Sequence, residues 1–92
     1  MIGSFRNKGL KRFAETGDPS KLASENVKRV TNILRAMVAA EKPEHLDLPG
    51  FKLHRLKGAD KNRYAIWVSG NYRITFAWDG TDAIDIDLED YH

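Results

Sequence analysis

Hydrophobic positions along this chain follow two different periods. Between Asn71 and Trp78 they alternate strictly: Tyr72, Ile74, Phe76 and Trp78 share one face of a strand, and Arg73, Thr75 and Ala77 share the other. Three aromatics and an isoleucine at a period of two predict a strand. Gly70-Asn71 and Asp79-Gly80 are hairpin-turn pairs at its two ends, so it has a neighbour on each side and belongs inside a sheet. Alternation also predicts strands over residues 51–56 and 63–69. Residues 84–89 complete the set, with acids outward and aliphatics inward. Residues 2–5 predict a short strand with Ile2 and Ser4 on one face and Gly3 and Phe5 on the other.

Elsewhere the spacing is helical. Leu10, Phe13 and Ala14 recur at i, i+3, i+4, with Lys8, Lys11 and Arg12 on the other side. Asn7 is the expected N-cap and Gly17 the expected stop. A longer helix, reaching about residue 40, buries Val27, Val30, Ile33, Leu34, Met37 and Val38. Glu25, Lys28, Arg29, Asn32, Arg35 and Ala36 cover its outside. Its start falls at Asp18-Pro19-Ser20, at Leu22 or at Ser24. Pro43 and Pro49 mark residues 41–50 as a connection with room for one helical turn.

The element order is β-α-α-β-β-β-β. It predicts an α+β fold in which a short N-terminal strand and a two-helix hairpin pack on one face of a mostly antiparallel sheet of four to five strands. The opposite face then presents Arg73 and His54. For Arg73 alone, an ordinary solvated face is the simplest account, so its neighbours decide whether it has a task.

Ninety-two residues make one domain, spanning 1–92. No cysteine is present, which excludes disulfides and thiolate metal sites and fits a reducing compartment. The first residues form no apolar run of signal-peptide or membrane-span length, so a cytoplasmic location with no membrane partner is expected. Net charge is only +2, but it is unevenly spread. Residues 1–73 carry all 15 Lys and Arg against 7 acids, giving +8. Residues 74–92 carry 6 acids and no Lys or Arg, giving −6. That asymmetry suits a polyanionic partner.

The candidate chemistry gathers at strand ends. His54 and Lys57 lie at the end of one strand, Arg73 at the start of another, and the final strand leads into Asp90-Tyr91-His92. Imidazole exchanges a proton near neutrality. Lysine and arginine hold a phosphate and stabilise charge that grows on it. A carboxylate orients a histidine or raises its pKa, and a phenol stacks on a base or donates a hydrogen bond. Together these groups would cleave RNA through its own 2′-hydroxyl, with no metal or other cofactor. His54, Asp90 and His92 are also a legitimate metal-ligand set, although nearby Lys and Arg oppose a cation. Residue types alone do not prove that these groups converge.

Several segments resemble the HigB toxins, or plasmid-maintenance killer proteins, of the RelE-like superfamily. They are Met1-Ile2-x-Ser4-Phe5 with Lys8-Gly9-Leu10, Lys52-Leu53-His54-x-Leu56-Lys57-Gly58, Asn71-Tyr72-Arg73-Ile74-Thr75-Phe76 and Glu89-Asp90-Tyr91-His92. The resemblance covers the whole chain and implies a RelE-like fold in a toxin of a type II toxin–antitoxin system. It implies a ribosome-dependent mRNA interferase that cuts mRNA in the A site of the 70S ribosome. A HigA-type helix-turn-helix antitoxin would neutralise it, with operator DNA bound only through the complex. It further implies catalytic roles for His54, Asp90, Tyr91 and His92, with Lys57 and Arg73 on the phosphate or the transition state. Lys8, Lys11, Arg12, Lys28 and Arg29 would suit ribosomal RNA, and a solvated helix face explains them equally well. ParE-type toxins share the fold but bind DNA gyrase without cutting RNA, so the fold does not decide between the two. The set His54, Asp90, Tyr91 and His92 favours the nuclease.

Overall fold

The computed structural model describes residues 1–58 and 62–90. Helix α1 spans Lys8–Thr16. At its start the Asn7 side chain accepts the Leu10 N–H at 2.9 Å, which satisfies one of the donors a helix end leaves open. At its end Gly17 adopts φ 77 and returns its N–H to the Phe13 carbonyl, a left-handed cap that a side chain would disfavour. A 3-10 turn at Ser24–Asn26 leads into helix α2, Val27–Ala39. Val30, Ile33, Leu34 and Met37 are buried along its inner stripe, each worth about 1.5–3 kcal/mol of transfer free energy. Val38 departs from the expected stripe and is 60% exposed. It looks sideways into a shallow groove beside Phe13 and Leu34 rather than down onto the sheet. The connection after α2 holds one 3-10 turn, Pro43–Leu46, which inserts Leu46 fully into the core.

Among the described residues, four antiparallel strands follow in the spatial order of the sequence: β1 His54–Arg55, β2 Tyr64–Ser69, β3 Tyr72–Asp79 and β4 Asp82–Asp90. The helices cover one face. On that face Ile66, Ile74 and Phe76 are fully buried, and Tyr64 stacks on Phe76 with ring centroids 5.6 Å apart. Truncating Phe76 to Ala would cost about 3–5 kcal/mol.

Two strands differ from the sequence expectation for local backbone reasons. The strand predicted over residues 51–56 shrinks to two residues. Lys52 takes φ 52, which removes it from extended geometry, while the Phe51 carbonyl still accepts the Trp67 N–H at 2.9 Å. In β4 the ladder pairs Thr75 with Asp87 but Ala77 with Ile84, so β4 carries one extra residue. This bulge centres on Asp85, at φ 50. Asp85 donates its N–H to Ser4 Oγ at 2.9 Å, and its carbonyl accepts from Arg63 Nη2 at 2.8 Å.

The bulge changes which residues face inward. Ala83 and Ile86, three apart, are both fully buried, and Ile84 pairs with Ala77 on the other face. The expected inward run of aliphatics is therefore broken at Ile84. The N-terminal segment follows the same step. Ile2 bridges to Ala83 and Phe5 to Ile86, both parallel, and both side chains join the core instead of taking opposite faces.

Candidate active site

The uncovered sheet face is set by register. Trp67 sits opposite Arg73, Ala65 opposite Thr75, His54 opposite Ala65, and Arg73 opposite Glu89. Cross-strand partners project from the same face, so His54, Trp67, Arg73, Thr75 and Glu89 all lie away from the helices. At one end of this face is a pocket of about 300 Å³ whose described lining includes His54, Lys57, Trp67, Asn71, Tyr72 and Arg73. Three residues singled out from the sequence, His54, Lys57 and Arg73, thus meet around one concavity.

His54 and Lys57 are exposed. His54 Nδ1 lies 2.9 Å from the Lys52 carbonyl. A carbonyl only accepts, so this bond places the proton on Nδ1. In the neutral ring Nε2 then carries the lone pair and can take up a proton. The left-handed turn at Lys52 that shortened β1 is also what aims its carbonyl back at the His54 ring.

Arg73 is not simply solvated. Its side chain is 17% exposed, and its Nη2 lies 3.9 Å from Glu89 Oε1. Glu89 in turn accepts the Thr75 hydroxyl through Oε2. Thr75 Oγ1 accepts from Arg63 Nη2 at 3.0 Å, and Arg63 is itself buried. Burial pushes the Arg63 pKa below the ordinary arginine value, and the positive charge of Arg6 adds to the effect. The carboxylates of Glu89, Asp87 and Asp85 oppose it. Two guanidiniums are thus connected through a buried hydroxyl and a half-buried carboxylate. Sequence reasoning missed this supporting set because Thr75 and Glu89 read as outward-facing strand positions and Arg63 only as the first residue of a strand. The available signal was the ladder itself, since Arg73 and Glu89 become neighbours once β3 and β4 are paired.

Asp90 ends β4, exposed, opposite Tyr72; in that register it is not among the described residues that line the pocket. Tyr91 and His92 lie outside the described residues. Lys8, Lys11, Arg12 and Lys28 are exposed on the helices. Arg12 contacts Asp18 at 2.5 Å and holds that carboxyl at about 2, below the ordinary value of 3.8. Arg29 is engaged with the sheet. It donates to the Trp67 carbonyl at 3.2 and 3.1 Å and also to the Gly50 carbonyl, and its Cζ lies 5.3 Å from the ring centroids of both Phe51 and Trp67. Asn71, Tyr72 and Trp67 join the pocket without having been singled out for chemistry. The 70–71 turn they flank connects the strands that carry Trp67 and Arg73, which puts it at the rim. Among the described residues, no group of three or more acids and histidines is placed to hold a metal, and no helix is long and apolar enough to cross a membrane.

Chemically, the pocket offers one imidazole beside three cationic side chains, those of Arg55, Lys57 and Arg73, an arrangement suited to an anionic ester. Comparison with known proteins agrees. A family model described as RelE-like toxin of type II toxin–antitoxin system HigB matches residues 3–92. A curated relative, Endoribonuclease HigB of Proteus vulgaris, is 39% identical over 92 residues, covering 100% of each chain.

Proposed function

Because the chain belongs to the HigB-like toxin family of type II toxin–antitoxin systems, we propose that it is an endoribonuclease that cuts mRNA in the ribosomal A site in the cytoplasm. A HigA-type helix-turn-helix antitoxin would restrain it, and operator DNA would be reached only through that complex. The observation that carries the reading is the convergence of His54, Lys57 and Arg73 on one pocket, in a chain whose curated relative is named an endoribonuclease.

The reaction uses the RNA's own 2′-hydroxyl. His54 Nε2 takes the hydroxyl proton while O2′ bonds to phosphorus. Arg73 and Lys57 hold the non-bridging oxygens as negative charge grows on them. The P–O5′ bond breaks and a proton is delivered to O5′, leaving a 2′,3′-cyclic phosphate and a 5′-hydroxyl. In this proposal His92 is the proton donor, and Asp90 and Tyr91 complete the catalytic set. No metal or cofactor enters these steps.

Translation in a cell-free extract tests the reading, with cuts mapped in mRNA that is or is not engaged by ribosomes. Cuts at codons of translated mRNA alone are expected. Intact mRNA in both samples, or equal cutting without ribosomes, would contradict it. Neither the family match nor the relative's name supports the gyrase-binding alternative. That alternative would leave mRNA intact and disturb DNA supercoiling.

A further inference from the structure

We propose that Trp67 is a stacking platform for a nucleobase of the RNA next to the scissile phosphate, an inference that rests on the endoribonuclease reading above. Trp67 is 39% exposed, and it lines the pocket with His54, Lys57 and Arg73. It faces Arg73 directly across the β2–β3 ladder, so their Cβ atoms are about 5 Å apart. A phosphate held by Arg73 therefore brings the attached nucleoside over the indole.

An exposed tryptophan in a small domain needs an explanation, and this one is pinned in place before any ligand arrives. Its Nε1 donates to the Gly70 carbonyl at 3.4 Å. Arg29 Cζ lies 5.3 Å from the ring centroid, and that guanidinium is fixed by bonds to the Trp67 and Gly50 carbonyls. Lys52 Nζ lies 4.8 Å from the same centroid. A ring already held on one side loses little further freedom when a base stacks on it. Lys52 sits on an exposed, flexible stem, so it can yield its place over the ring and follow the RNA phosphate, whereas Arg29 stays tied to the backbone. Stacking of this kind accepts any base, because every base has a π-face. Trp67 thus contributes positioning at the cut, and discrimination between codons falls to polar groups.

The test is a double-mutant cycle on ribosomes programmed with mRNA carrying an abasic nucleotide at each position around the cut in turn. On intact mRNA, Trp67→Ala is expected to lower kcat/KM by roughly 5- to 150-fold, the range for losing one base–aromatic stack. Trp67→Phe is expected to retain most of the rate. At one abasic position wild type should lose the same factor, and Trp67→Ala should lose nothing more. A structural role for Trp67, as a seat for Arg29, would give additive losses at every abasic position and would overturn the proposal. So would a Trp67→Ala protein that cuts as fast as wild type, and in that case the endoribonuclease reading survives. Wild-type protein that cuts no mRNA on ribosomes overturns the function and this assignment together.

Discussion

Replacing Arg73 with Ala separates a catalytic role from a structural one, because its pair with Glu89 can also be broken from the carboxylate side. The guanidinium is 3.9 Å from Glu89. At an effective dielectric of about 20 the direct attraction at that distance is roughly 4 kcal/mol. The Glu89 side chain is 34% exposed, so solvent screening and desolvation of the arginine reduce the net to about 1 kcal/mol. In a domain of this size that lowers Tm by about 4–8 °C. Loss of a cation that stabilises charge on the transition state costs about 10²–10³-fold in rate. Thermal melts and single-turnover cleavage on programmed ribosomes should therefore give a mildly destabilised protein that scarcely cuts. Glu89→Gln is the control. It breaks the same pair from the other side, keeps an oxygen for the Thr75 hydroxyl, and should melt no lower than Arg73→Ala while cutting within a few-fold of wild type. If the two variants lose cleavage equally, Arg73 acts through the fold and the reasoning fails.

Further outcomes follow from the same structure. Asn7→Ala removes the cap on α1 and should cost about 1 kcal/mol, seen as a Tm lower by about 4–8 °C, whereas Asn7→Ser should melt close to wild type. Arg12 lowers the Asp18 pKa to about 2. A carboxylate depressed in the folded state stabilises above its ordinary pKa and loses that effect as pH falls through the folded value. The Tm gap between wild type and Asp18→Asn, measured from pH 6 downward, should therefore narrow below about pH 4 and close near pH 2. Deleting Tyr91 and His92 should abolish mRNA cleavage and growth arrest in a bacterial host while antitoxin still co-purifies. Growth arrest with mRNA still cut at codons would place the proton donor elsewhere.

Wherever one local rule governs, the sequence predicts the structure well. Asn7 and Gly17 bound α1 because a side-chain oxygen and a left-handed backbone are what helix ends demand. The alternation from Tyr72 to Trp78 survives because β3 is paired on both sides, so one register serves two neighbours. What could not be read depends on contacts distant in sequence. The Asp85 bulge follows from the Ser4 hydroxyl and the Arg63 guanidinium, which lie far from it along the chain. The fate of Ile84, Ile2 and Phe5 follows from that bulge. Lys52 leaves the extended region, and no local residue pattern announces it. In the site, His54, Lys57 and Arg73 stood out as candidates, because imidazole and cations suggest chemistry by their type, and the structure brings them to one pocket. Glu89, Thr75 and Trp67 come to stand beside them through register alone. Arg29 read as a helix cation for ribosomal RNA or for solvent, and it proves to bind the Gly50 and Trp67 carbonyls across the molecule.

The most direct test of the account is the chemistry of the ends that the wild-type protein leaves on ribosome-bound mRNA. Attack by the 2′-hydroxyl, with His54 as base and Arg73 and Lys57 on the phosphate, predicts upstream fragments ending in a 2′,3′-cyclic or 3′-phosphate and downstream fragments beginning with a 5′-hydroxyl. Upstream fragments ending in a 3′-hydroxyl would mean that water or another nucleophile attacked from outside the RNA, and would contradict it.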